Sequence, residues 1–353
     1  MNAAAERRDS TLVASRRQPA SLRFQDGQEL FHGRRQHPVF LVDRAEGPDK
    51  LAVFNLNGHQ GLLLDLLLDG GQRHNGQAGV NFHRALHRLH VVKFHDALHL
   101  HVILAQDFVE RFAHAAQSGE FDLIFVSQVF FNSSFAIADL DDLVQCIAGS
   151  GAIIVIDGYH GFMARPTDLS RIWQRAFYLA GGYKYAMAGE GACFLVCPSG
   201  IAPRPRNTGW YAAFGALSAP NDGGVAYAQN GARFAGATFD PSGLHRLGAV
   251  MEWLQEISIT AHAVHDHVCA LQNAFVNGMD LPGLQAENLV VAPRLAHGNF
   301  LAYRSPQAPK IHALLLAAGI ITDVRGDVVR IGFGIYHDLP DVPEIISRIH
   351  KAI

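Results

Sequence analysis

The sequence has few cysteines and no long hydrophobic run. Its 353 residues include four cysteines, Cys146, Cys193, Cys197 and Cys269, and none of them has the CxxC spacing of a zinc or redox motif. We therefore expect reduced thiols in a cytoplasmic protein. No apolar run reaches the ~18 residues that a membrane helix needs. The N-terminus also lacks the apolar core of a secretory signal, so we expect no membrane partner.

The chain also lacks an excess of charge of either sign. It has 29 basic and 32 acidic residues, a formal net charge of −3, which gives no reason to expect nucleic acid as a partner. Three histidines, His83, His87 and His90, would share one face of a helix, but no carboxylate or cysteine stands at a supporting position and HExxH is absent. We therefore predict no metal site.

The first hundred residues differ from the rest in composition and in secondary-structure pattern. Eleven of the twenty histidines occur by residue 114, and helix start and stop signals are scarce there. We predict that residues 1–105 are irregular or poorly ordered. Our hypothesis is that they are read in a wrong frame, and the alternative is a genuine, divergent domain.

After residue 105 the pattern is that of an α/β protein. Apolar runs bounded by turn residues predict strands, and helical spacing predicts helices. The predicted strands are 121–128, 152–156, 176–180, 192–197, 289–292 and 328–333, and the predicted helices are 139–148, 242–277, 310–318 and one that begins at Val342. Strand, crossover helix, strand indicates a mainly parallel sheet. We predict a large domain over 106–240 and a helix with a small α+β domain over 241–353.

Three residues of the predicted large domain have the chemistry of a pyridoxal phosphate site. That cofactor needs a lysine to hold its aldehyde as a Schiff base and a carboxylate to keep its ring nitrogen protonated. Asp157 directly follows a predicted strand, where ligands bind in open α/β sheets. His160 comes three residues later, and Lys184 lies beside glycines that permit close backbone approach. Asp157 and Lys184 each have an ordinary alternative: a helix cap or turn residue for the aspartate, and a solvent-exposed residue for the lysine.

The stretches VIDGYHGFMARPTDLS and AFYLAGGYKYAMAGEGACFLVCP, with their spacing, resemble the fold-type I pyridoxal phosphate enzymes of the aminotransferase class V group. That group also holds kynureninases and cysteine desulfurases, and the resemblance runs from about residue 108 to the C-terminus. It implies that Asp157 contacts the pyridine nitrogen, that His160 lies beside the phenolic oxygen, and that Lys184 is the Schiff-base lysine.

The resemblance implies three further site residues. Asn132 would lie near the same phenolic oxygen, and Arg330 would bind the substrate α-carboxylate. Thr238 would reach the phosphate of a neighbouring subunit, which implies a homodimer. The alternatives are that Asn132 caps a helix and that Arg330 forms a structural ion pair with Asp323 or Asp327.

The resemblance leaves several reactions open. A desulfurase is disfavoured because no cysteine lies between Cys269 and Arg330, where the mobile nucleophile would be expected. We predict an aminotransferase acting on amino-acid and keto-acid substrates. A kynureninase-like hydrolase is the alternative, favoured by the GYKY segment and by Trp210 in NTGWYAAF. A Ser/Thr-bearing phosphate loop is not recognisable before residue 108, so a non-catalytic remnant is a third possibility.

Overall fold

A computed structural model describes residues 38–42, 51–55 and 91–93 as strands, and residues 108–118, 121–198, 203–205, 208–218, 220 and 224–353. The strands are β1 Pro38–Val42, β2 Leu51–Asn55, β3 Val91–Lys93, β4 Leu123–Ser127, β5 Ile153–Asp157, β6 Ala176–Gly181, β7 Cys193–Val196, β8 Phe300–Arg304, β9 Asp323–Arg325 and β10 Val328–Gly332. The α-helices of the described part are α1 Phe108–Ser118, α2 Leu140–Ile147, α3 Ser242–Glu256, α4 Ala261–Gly278, α5 Ala308–Ala317 and α6 Val342–Ala352.

The large sheet has the order β2-β1-β7-β6-β5-β4-β3. Strands β3 to β6 are parallel to one another, and β7 runs antiparallel to β6. The predicted unit of strand, helix and strand is β4, α2 and β5, which confirms the mainly parallel α/β architecture. Helix α2 begins where predicted because the Asp139 side chain accepts hydrogen bonds from the backbone N–H groups of Asp141 and Asp142.

Three strands of this sheet come from the segment predicted to be irregular. β1 pairs with β7, β2 pairs with β1, and β3 pairs with β4. The prediction for the rest of residues 1–105 lies outside the described residues. The hypothesis of a wrong reading frame stays a prediction.

Alternating side chains of the central strands pack on the two faces of the large sheet, and the face toward α1 and α2 holds the first core. Ile124 and Ile154 point toward α1 and α2, whereas Leu123 and Val155 point to the opposite face, where Phe177 also lies. This alternation is the two-residue period of a strand. Helix α3 covers the first face, and a cavity of about 920 Å³ opens there between Trp173, Phe194, Met251 and other mainly apolar side chains.

The C-terminal part contains a second core and a second sheet. The small sheet is antiparallel with the order β8-β10-β9, and α4, α5 and α6 pack against it around Phe275, Tyr303 and Leu315. Such an arrangement is the predicted α+β type. The domain boundary near residue 241 stays a prediction.

Two sequence predictions for this part are wrong. The single helix over 242–277 is two helices, because the chain turns at Ser258, whose φ is 60°, and α4 restarts after Thr260. The predicted strand over 289–292 is an isolated bridge from Leu289 to Tyr303, and the strand that forms the sheet edge is β8. No helix of the described residues is long and apolar enough to cross a membrane. The cytoplasmic location stays a prediction.

Candidate active site

Asp157 is the last residue of β5, at the carboxyl end of the parallel strands. Its Oδ1 accepts a hydrogen bond of 3.0 Å from the backbone N–H of Tyr159, so the chain turns tightly around the carboxylate. Gly158 makes this turn possible. A Cβ at that position would lie 2.0 Å from the ring of Tyr178.

Lys184 lies in the turn that follows β6, beside Asp157. Its Nζ is 5.7 Å from the centroid of the Tyr159 ring and 5.8 Å from that of Tyr183, within the range of a cation–π contact. Burial lowers the pKa of the Lys184 amine, the nearby Asp157 carboxylate opposes that shift, and Arg330 adds to it. The amine therefore reaches its neutral, nucleophilic form more readily than an exposed lysine does.

The hydroxyl of Tyr159 and the thiol of Cys193 form a hydrogen bond. Burial is the main reason that the pKa of each group is raised, so both stay protonated near neutral pH. Cys193 begins β7, next to β6, and this places its thiol near Lys184. Sequence reasoning missed both Tyr159 and Cys193, because their proximity depends on the antiparallel pairing of β6 and β7.

His160 is half-buried and neutral. Burial, with the positive charges of Lys184 and Arg330, lowers its pKa to about 3. Its ring centroid lies 5.8 Å from that of Phe300 and 6.1 Å from that of Tyr185. The Nδ1 atom is buried and has no hydrogen-bond partner among the described residues. A buried polar atom of this kind is costly unless a ligand satisfies it.

Arg330 connects the small sheet to the site. Its guanidinium donates to the backbone carbonyl of Phe131 and to the carboxylate of Asp323, and it lies 5.2 Å from the centroid of the Phe300 ring. Its Nε is buried without a partner among the described residues. The positive charge of Arg330 contributes to lowering the pKa of both Lys184 and His160. These three predicted residues therefore form one electrostatic cluster with Asp157, whose charge acts on Lys184.

The other two predicted residues are placed differently. Asn132 is partly exposed and adjoins Phe131, whose carbonyl Arg330 contacts. Thr238 is exposed in the loop before α3. Its predicted role concerns a second subunit, and that role stays a prediction.

A buried network behind the site also escaped the sequence analysis. Gln128 follows β4, accepts a hydrogen bond of 3.0 Å from the Tyr178 hydroxyl and donates one of 2.8 Å to Thr167. A Cβ at Gly161 would lie 1.9 Å from the Gln128 side-chain oxygen. The spacing DGYHG, with glycines on both sides, was the available signal that a backbone turn is packed closely here.

No protein-family model matches the chain. Among curated proteins, a probable cysteine desulfurase of Vibrio cholerae is 25% identical over 225 residues, 61% of this chain and 54% of the relative. The chain thus spans about half the length of that relative.

Several solved structures share the fold. A cysteine desulfurase from Thermococcus onnurineus is similar with a TM-score of 0.56 and 16% identity, over 69% of this chain and 62% of the other. A ureidoglycine-glyoxylate aminotransferase from Bacillus subtilis has a TM-score of 0.52 and 12% identity, over 69% and 63%. A third, a mutant of C-DES with glycine covalently linked to its pyridoxal phosphate cofactor, has a TM-score of 0.54 and 19% identity, over 67% and 63%.

These likenesses confirm the predicted resemblance in fold. The shared architecture extends over 67–69% of this chain. The described part of the chain has the fold-type I architecture, and its structural neighbours include a cysteine desulfurase and an aminotransferase.

Proposed function

We propose that this chain binds pyridoxal 5'-phosphate through Lys184 and acts on an amino acid. The observation that carries the proposal is the cluster of Lys184, Asp157, His160 and Arg330 at the carboxyl end of the parallel strands. Ligands of open α/β sheets bind at this edge. The cavity of about 920 Å³ is not this site, because its lining includes Tyr178 and Phe194 of the first core, whereas Tyr159 and Tyr183 pack on the opposite face.

The residues present fit the ring and the aldehyde of the cofactor. Pyridoxal phosphate, when bound, supplies an aldehyde and a ring that withdraws electrons from the substrate Cα. The lowered pKa of Lys184 favours the neutral amine that such an aldehyde requires. The Asp157 carboxylate would hold a proton on the ring nitrogen, and the unpartnered Nδ1 of His160 would bind a polar atom of the ring.

Arg330 would bind the substrate carboxylate, since a guanidinium matches a carboxylate with two parallel hydrogen bonds. With the carboxylate fixed there, the amine of Lys184 would be positioned to take up and carry the proton of the substrate Cα. Transamination requires both a group that fixes the substrate carboxylate, here Arg330, and an amine that carries a proton, here Lys184.

An aminotransferase agrees better with the thiols than a desulfurase does, although a curated relative is a probable cysteine desulfurase. Cys193 and Cys197 are buried, and the pKa of Cys193 is raised, chiefly by burial. Cys269 lies on α4 beside His265, and burial raises its pKa also. A thiol of raised pKa is a poor nucleophile for a substrate sulfur.

The test is covalent trapping of the cofactor. The protein is incubated with pyridoxal phosphate, reduced with borohydride, digested and analysed by mass spectrometry. We expect the reduced adduct on Lys184 and its loss in Lys184→Ala, while Lys310→Ala, a change of an exposed lysine on α5, keeps it. An adduct distributed over several lysines, or none, would contradict cofactor binding and favour the non-catalytic remnant.

A second measurement separates the two reactions. An aminotransferase converts the bound cofactor to its amine form when an amino acid is added, and a keto acid restores it. A kynureninase-like hydrolase would instead release alanine from a substrate with a γ-carbonyl. We expect the first result.

Light scattering tests the homodimer, in which Thr238 of one subunit would reach the cofactor phosphate bound by the other subunit. A monomeric mass would contradict this assignment.

A further inference from the structure

The Asp323 carboxylate forms an ion pair with Arg330, the residue to which the proposed substrate carboxylate would bind. The two residues stand directly opposite each other in the register of β9 and β10. The Asp323 carboxylate contacts Nη2 of Arg330 and lies 3.2 Å from Nε of Arg325. The Arg330 side chain is 14% exposed and that of Asp323 is 42% exposed, so the pair sits at the edge of the site with the carboxylate toward solvent.

The donors of Arg330 are unevenly used. Nη1 donates to the carbonyl of Phe131, Nη2 donates to Asp323, and Nε is buried with no partner among the described residues. A carboxylate binds a guanidinium best through two adjacent donors. The pair formed by Nε and Nη2 becomes available only if Asp323 releases Nη2.

We propose that Asp323 is a specificity-determining residue that holds the place of the substrate carboxylate on Arg330 and exchanges with it. This inference rests on the proposed role of Arg330. Asp323 keeps a partner when it leaves, because Arg325 already contacts the same carboxylate oxygen. The exchange therefore does not strand a charge, and the affinity for the substrate carboxylate is set by the competition between two anions for one guanidinium.

The energetic setting agrees with an exchangeable pair. The pKa of Asp323 is lowered although burial opposes this, because the hydrogen bond and charge of Arg330 outweigh burial, with help from Arg325. Asp323 is thus ionised at neutral pH. An ion pair whose acidic partner is nearly half exposed contributes little to stability, and a substrate carboxylate in a less exposed position can displace it.

Calorimetric titration of the cofactor-loaded protein with pyruvate and with its neutral analogue pyruvamide tests the proposal. In Asp323→Asn the competing charge is removed while the shape is kept, so we expect the Kd for pyruvate to fall about fivefold and the Kd for pyruvamide to stay unchanged. The matched control is Asp327→Asn, which removes a carboxylate that pairs with Arg304 near the same hairpin. It should change neither Kd.

For a second variant, we expect the Kd for pyruvate to change in the opposite direction. Arg325→Gln removes the group that receives Asp323, so the Asp323 carboxylate stays on Arg330 and the Kd for pyruvate should rise about twofold. A purely structural pair predicts weaker pyruvate binding in Asp323→Asn, since Arg330 would lose its support. That result, an unchanged Kd, or no binding of pyruvate by any variant overturns the proposal. Trapping at Lys184 is measured independently, so cofactor binding can hold while this inference fails.

Discussion

Gly158 lies between the carboxylate of Asp157 and the ring of Tyr159, and its missing side chain leaves room for Tyr178. The backbone N–H of Gly158 donates to the carbonyl of Leu179, which holds the turn against the neighbouring strand β6. A methyl group at this position would overlap the buried Tyr178 ring. The turn that aims Asp157 and His160 therefore depends on glycine for space.

Gly158→Ala should destabilise the protein by roughly 1–3 kcal/mol, because overpacking forces the ring or the backbone to move. Urea unfolding measures this. The control is Gly149→Ala, where a Cβ would meet nothing within 4 Å, and we expect a change below about 0.5 kcal/mol. Equal effects at the two positions would show that the close packing at Gly158 is not limiting.

His160 makes stability depend on acid pH. Its pKa is about 3 in the folded chain against an ordinary value of 6.5, so between these values the unfolded chain binds a proton that the folded chain excludes. Stability is consequently lost as the pH falls from 6.5 toward 3. His160→Gln cannot take up this proton.

The unfolding free energy of the wild type should therefore fall more steeply than that of His160→Gln over this range, by at most about 1.4 kcal/mol per pH unit. Denaturant unfolding at pH 6.5, 5.5 and 4.5 gives the two slopes. Parallel slopes would mean that His160 titrates normally in the folded protein.

The resemblance could predict which four residues cluster at the carboxyl end of the parallel strands, and their roles in a cofactor site stay predictions. Asp157, His160, Lys184 and Arg330 lie close enough to influence one another's charge, as the resemblance implied. Tyr159, Cys193 and Gln128 could not be predicted, because a tyrosine or a buried cysteine is ordinary core material until the strand order is known.

The break between α3 and α4 depends on Ser258 and Thr260, whose effect on the backbone is not visible in the spacing of apolar residues. Apolar residues continue at helical spacing through 242–277, which predicts one helix. The first helix stops at Glu256, the chain takes a positive φ at Ser258, and the second helix begins with Thr260 as the N-cap of α4. The Thr260 side chain accepts a hydrogen bond of 3.1 Å from the N–H of Ala263.

Thr260→Ala should lower the unfolding free energy by about 1 kcal/mol, because the first turn of α4 loses its side-chain acceptor. Thr260→Ser retains the hydroxyl and should stay near the wild type. Thermal or urea unfolding of the three proteins decides the matter. If the alanine and serine variants are equally stable, the cap is not what starts α4.

The missed strand β8 has a related cause. Its sequence FLAYR is short and ends in an arginine, whereas LVVA at 289–292 is the stronger β pattern. β8 pairs with β10 over five residue positions, and Leu289 makes a single bridge to Tyr303. Pairing with a partner strand outweighed local propensity here.

At the scale of the molecule, a polar seam joins the two cores. Arg165, from the part that follows β5, donates a hydrogen bond of 2.7 Å to the carbonyl of His297. The His297 ring is 3.1 Å from the side-chain oxygen of Gln272 on α4, and Gln272 donates to Gly298. Elements of both cores thus meet through hydrogen bonds that link distant parts of the sequence.

Arg165→Met should cost roughly 1–3 kcal/mol, because the His297 carbonyl loses its donor, and should separate the unfolding of the two cores. Scanning calorimetry detects this as a van't Hoff enthalpy that falls below the calorimetric enthalpy. The control is Arg175→Met, whose guanidinium donates to Ala148 and Ala152 within the first core. It should lower stability without separating the transitions; similar curves for both variants would contradict the seam.

The fold class of the C-terminal two-thirds could be predicted because strands and crossover helices alternate there with clear turn signals. The joining of the cores could not be predicted, because it relies on contacts between residues that are distant in the sequence. The partner of Arg165 lies more than a hundred residues away, and that of Gln272 lies about twenty-five residues away. Sequence patterns record local periodicity and carry little information about such distant contacts.

The tyrosine pair beside Lys184 has an optical consequence. Tyr159 and Tyr183 lie with their ring centroids 5.6 Å apart and flank the lysine amine, and tyrosine emission overlaps the absorption of conjugated aldehydes. A chromophore attached to Lys184 would accept energy from these rings over so short a distance. Occupancy of the site would then be visible as quenched tyrosine fluorescence, without any label or turnover.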